Sequence, residues 1–292
     1  GATVTVPWRF AGFDPSSSES DVTFWFRRDG DRTALTAVGG GGERTPLWLS
    51  GPLTVRRTAD TLVLDAAPGA AAVERLARQA VTDVRAVLPQ WRTGLVVEVP
   101  ASTAALESAL DAAEGEYAGI AAVTSATDGS AVPDSPIHVF LNPSVFGRLG
   151  DTGGQVVVSH EAVHVAAKAP NSVAPQWLIE GFADYVALRD VDLPYSTTAS
   201  QVIRQVRRQG PPRDLPGPTE FDSADTHLGA AYEAAWLACV VLADRGGEQA
   251  LVDLYAATDK GADLDAELRQ RFGWSERELV TAWQQRLEEL AG

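Results

Sequence analysis

Two of the four histidines in this 292-residue chain stand four positions apart, in the run His160-Glu161-Ala162-Val163-His164. On a helix, residues at i and i+4 lie on one face a turn apart. Both imidazoles can therefore hold a single ion while Glu161 projects beside it to activate a metal-bound water. Nitrogen donors of this kind favour Zn2+ over magnesium or calcium. Glu180 follows His164 by 16 positions, after Pro170 and Pro175 have broken the chain, and opens a second helical stretch from which it can turn back as a third ligand. His, His and Glu leave a fourth position for water, which is the open site of a catalytic zinc rather than the closed site of a structural one. Asp184 lies one turn beyond Glu180 on the same face. It can accept from the remaining ring N–H of His160 and fix that tautomer; the alternative is a solvated helix carboxylate.

The elements that must position these groups follow from hydrophobic periodicity. From Gly1 to about Ala67 the pattern has period two, with Val4, Val6, Trp8 and Phe10, then Val22, Phe24 and Phe26, alternating with polar neighbours. Asp29-Gly30 between two such runs marks a tight hairpin, and PLWLSGPLTVRR and TLVLDA add two further strands. Residues 1–67 thus read as a small antiparallel β segment or domain. A helix is predicted from about Val73 to Leu88, stopped by Pro89. GLVVEV, GIAAVTS and PIHVFL read as strands and TAALESALDAA as a helix. Beyond Gly154 nearly everything carries helical spacing, with Ser275 and Glu278 as a capping box and Gly273 as a helix stop. The predicted class is α+β.

The motifs HEAVH and WLIEGFADY together resemble the gluzincin metallopeptidases, the thermolysin-like zincins, and within them the peptidase-MA-like proteins. The resemblance extends, as order of elements, over roughly Val73 to the C-terminus, within a predicted domain of residues 68–292, and does not cover the first 65 or so residues. It implies a zincin-type catalytic domain: a mixed sheet before the motif helix, an edge strand over the cleft, a glutamate helix and a helical C-terminal part. It assigns His160, His164 and Glu180 as zinc ligands, Glu161 as general base and Asp184 as the partner of His160. Tyr232 matches the position where such proteins often carry an oxyanion donor, with His227 as the runner-up. A core tyrosine and a surface histidine are the plain alternatives. HVFL is the best candidate for the edge strand. His138, within it, reads as a packed or exposed strand residue. The implied activity is hydrolysis of peptide bonds in a peptide or protein substrate by a Glu-activated zinc-bound water. A glycine-x-methionine-glutamate-asparagine motif is missing, which disfavours an aminopeptidase-N-like exopeptidase, and the absence of methionine excludes a metzincin Met-turn.

Composition narrows the alternatives. Hydrophobic residues at 45% and charged residues at 22% describe a folded globular chain. A formal net charge of -15 repels phosphate backbones and anionic surfaces, so no nucleic-acid partner is expected. The single cysteine, Cys239, has no internal disulfide partner, and its apolar run is far shorter than the roughly 20 residues of a membrane helix. The chain begins without methionine or a charged-then-apolar leader, from which a secreted or cell-envelope-anchored protein is expected. The Gly39–Gly42 tract lacks the lysine and following helix of a phosphate loop, and no G-x-S-x-G elbow marks a serine hydrolase. The competing class is a non-catalytic, zinc-stabilised protein-interaction module. Glu161 weighs against it, because metal binding alone does not need that carboxylate.

Overall fold

The computed structural model describes residues 1–40, 42–67, 69–130, 132, 134–222 and 227–292; Gly41 of the glycine tract and Pro68 at the expected segment boundary lie outside them. The chain forms two compact units, one of residues 1–82 and 90–171 and the other of residues 83–89 and 172–292. The architecture is α+β, with a three-stranded antiparallel sheet, a mixed five-stranded sheet and a helical C-terminal part.

In the first unit, β1 (Ala2–Trp8), β2 (Ser18–Asp29) and β3 (Arg32–Val38) pair antiparallel in that order. Asp29 stands opposite Arg32 and Gly30 has φ 61°, so the predicted hairpin turn forms where glycine takes a left-handed backbone at no steric cost. Leu47–Leu49 is a single 3-10 turn rather than a strand. It drops Leu47 into a cluster with Phe13, Leu62, Leu64 and Val96, while Pro46 just before it has no N–H to give a ladder.

β4 (Thr54–Arg57) and β5 (Thr61–Asp65) do not extend that first sheet. They pair antiparallel with each other, and β5 runs parallel to β6 (Leu95–Val99), beyond the helix α1 (Ala70–Val87). β5 and β6 are buried at every position, as strands covered on both faces require. After α2 (Thr103–Leu110), capped by Ser102, come β7 (Ala122–Ala126) and β8 (Ile137–Leu141). The sheet order is β4-β5-β6-β8-β7, with β8 parallel to β6 and antiparallel to β7. The edge strands are therefore β4 and β7, and the HVFL strand is interior. His138 to Leu141 are buried throughout, whereas β7 carries Thr124 and Ser125 and is only half-buried at its centre. A strand buried on both faces takes an interior place, and the more polar and less buried strand is left to the rim.

The short α3 (Pro143–Phe146) is capped by Asn142, and α4 (Asp151–Ala167) then packs on β7 and β8. The second unit is α5 (Gln176–Leu188), α6 (Tyr195–Thr198), α7 (Ser200–Gln209), α8 (Leu228–Gly246), α9 (Glu248–Thr258), α10 (Leu264–Phe272) and α11 (Glu276–Ala291). α8 is its central helix, packed by α5, α7, α9 and α11. Trp283 of α11 is fully buried, and its indole N–H donates to the Ala234 carbonyl of α8 at 2.9 Å. The capping box of Ser275 and Glu278 opens α11, and Gly273, at φ 69°, ends α10. Among the described residues no helix is long and apolar enough to cross a membrane.

Candidate metal centre

The HEAVH run falls in the C-terminal half of α4, in a stretch buried continuously from Val158 to His164. That burial follows from sequence: with Val158, Ala162 and Val163 interleaved among the polar positions, no face of this part of the helix is uniformly polar. Lys168 closes the helix in the left-handed region, at φ 54°. His160 and His164 are each more than nine-tenths buried, and their Nε2 atoms face one another at 2.9 Å with the rings edge to face. Two imidazole nitrogens converging in a buried site suit a shared cation, since each neutral ring presents one lone pair.

Glu161 is equally buried, and it is held from the sheet. The Thr124 hydroxyl, on the edge strand β7, donates to Glu161 Oε2 at 2.6 Å and lies 3.2 Å from the Glu161 carbonyl oxygen. Thr124 escaped sequence reasoning, since it is separated from Glu161 by 37 positions and belongs to no motif.

In the second unit, Pro175 leads directly into α5, whose buried run Trp177–Ala183 contains Glu180. Gln176 donates its side-chain N–H to Glu180 Oε1 at 2.7 Å. This pair was within reach of the sequence, because glutamine and glutamate at i and i+4 share a helix face. Asp184 is half-buried on α5, and its charge, after burial itself, pushes the Cys239 thiol well above its usual pKa. That thiol is fully buried. Tyr255 of α9, not singled out by sequence, stacks on Phe182 at 4.8 Å; burial, then Asp259, raise its phenol pKa, with Glu180 adding to the effect.

Tyr232 is half-buried on α8, with its ring edge-on to Phe221 at 5.2 Å. His227 is exposed at the N-terminus of α8 and lines a small cavity with Asp214 and Glu220.

His138 is fully buried between two carboxylates of the first unit. Its ring nitrogens donate to Glu98 at 2.6 Å and to Asp14 at 2.9 Å, while Phe10 stacks on the ring at 5.4 Å. Burial alone would lower the imidazole pKa, but the bonds to Asp14 and Glu98 outweigh it and raise the value from 6.5 to about 9. His138 is thus a packed strand residue, as one of its two readings had it, and carries a positive charge inside the sheet.

No protein-family model matches the chain, and no curated protein matches it either.

Proposed function

We propose that the chain is a zinc-dependent metallopeptidase of gluzincin type. His160, His164 and Glu180 act as the ligands, Glu161 as the general base, and Asp184 as the group that orients His160. The observation that carries this reading is the pair of buried imidazoles with converging Nε2 atoms, beside a carboxylate held by the edge strand β7. The donor chemistry fits: three buried side chains, two nitrogen and one oxygen, each offer one ligand atom. A zinc ion held there supplies a Lewis acid that polarises a carbonyl and acidifies water.

The remaining work falls to the protein's own groups. Glu161 takes a proton from the attacking water and returns it to the leaving amine, so the same carboxylate serves as base and then as acid. β7, as a terminal strand of its sheet, offers main-chain groups that an extended peptide can pair with, which favours peptide over other substrates. A tyrosine or histidine donor, Tyr232 or His227, steadies the oxyanion.

The test is cleavage of a quenched fluorescent peptide library by zinc-loaded wild-type protein and by Glu161→Gln, with metal analysis of both. Turnover by wild type, and its loss by several orders of magnitude in a variant that keeps its zinc, supports the proposal. Zinc bound at full occupancy without turnover in wild type leaves the zinc-stabilised interaction module instead.

A further inference from the structure

We propose that Thr124 is the positioning residue of Glu161, so that the edge strand β7 of the five-stranded sheet, and not the motif helix alone, sets the geometry of the base. This rests on the metallopeptidase reading above. A glutamate on a helix has three rotatable side-chain bonds, and leaving them free would blur the aim of its carboxylate. Glu161 is instead tied at its carboxylate. Its side-chain Oε2 accepts the Thr124 hydroxyl proton at 2.6 Å, and its own carbonyl oxygen lies 3.2 Å from the same hydroxyl. The bond lowers the basicity of Oε2, so Oε1 is the better proton acceptor.

A threonine suits this task for a stereochemical reason. Its β-branched side chain has few χ1 choices on a strand, so the hydroxyl is directed by the backbone of β7 itself. That backbone is fixed in turn by pairing with β8, where Thr124 stands opposite Val139. The hydroxyl meets α4 because α4 packs on β7 and β8. A short bond from a hydroxyl to a carboxylate is among the stronger hydrogen bonds in proteins. It replaces part of the solvation that Glu161 gives up on burial.

Two measurements test the assignment. On zinc-loaded protein with the fluorescent peptide library, Thr124→Val should lower kcat by about 10 to 100-fold with KM and zinc content little changed, and Thr124→Ser should recover activity to within about threefold of wild type. On metal-free protein, a double-mutant cycle of Thr124→Val with Glu161→Ala, read by chemical denaturation, should show a coupling of about tenfold or more in the unfolding constant, as for a hydrogen bond to a charged group. If Thr124→Val turns over within about threefold of an active wild type, or if the cycle is additive within about twofold, the inference is overturned while the peptidase reading stands. Wild-type protein that holds zinc and cleaves no peptide overturns both.

Discussion

Gly181 lies against the backbone of Ala235, where α5 crosses α8: a Cβ on Gly181 would stand 2.6 Å from the Ala235 carbonyl carbon and 3.0 Å from the Cys239 sulfur. The glycine next to Glu180 therefore lets two helix backbones touch. Gly181→Ala puts a methyl group where backbone stands, and backbone cannot yield as a flexible side chain would. The expected cost is about 1 to 3 kcal/mol, the usual range for overpacking a core. Urea denaturation measures it, and a variant as stable as wild type would show that α5 and α8 can separate freely.

Stability should also depend on pH through His138, which faces Asp14 and Glu98 and stacks on Phe10. Its folded pKa of about 9 lies above the unfolded 6.5. Its contribution is therefore fully present below pH 6.5 and is lost as pH rises through 9, at up to about 1.4 kcal/mol per pH unit in that window. Imidazole resonances followed by NMR, with unfolding measured at both ends of the window, check this. A ring that titrates near 6.5 in the folded protein would contradict it.

Zinc should bind at about one ion per chain and raise the melting temperature, since a ligand held only by the folded state stabilises it by mass action. Asp184→Asn is expected to weaken zinc affinity by about 10 to 100-fold with the fold retained, as for loss of a carboxylate that orients a ligating histidine. Competition against a fluorescent chelator reads this directly. Unchanged affinity would return Asp184 to the role of an ordinary helix carboxylate.

Tyr232→Phe should lower kcat on the order of 100-fold while changing KM little, because a donor to the oxyanion strengthens only in the transition state. The edge-on packing against Phe221 survives this substitution, so any loss of rate reports the hydroxyl and not the ring. If Tyr232→Phe is silent and His227→Ala carries the loss, the donor is the histidine at the start of α8.

Some of this protein was decided by residues close together in the chain. The HEAVH spacing puts two imidazoles on one helix face, Asp29-Gly30 closes the first hairpin, and Ser275 with Glu278 opens the last helix. Each is a matter of local geometry, where a few bonds of backbone fix which side chains meet, so each could be read from spacing alone. Strand order was not local. Nothing within HVFL distinguishes an edge from an interior strand; that depends on what the other strands bury, and β7 fell to the rim because its neighbours were more apolar. The same holds for the Thr124 bond to Glu161, for His138 held between residues 14 and 98, and for the contact of Gly181 with Ala235. These partners lie tens of positions or more apart, and they meet because the fold as a whole buries the most apolar surface, an energy to which every element contributes and which no single segment displays.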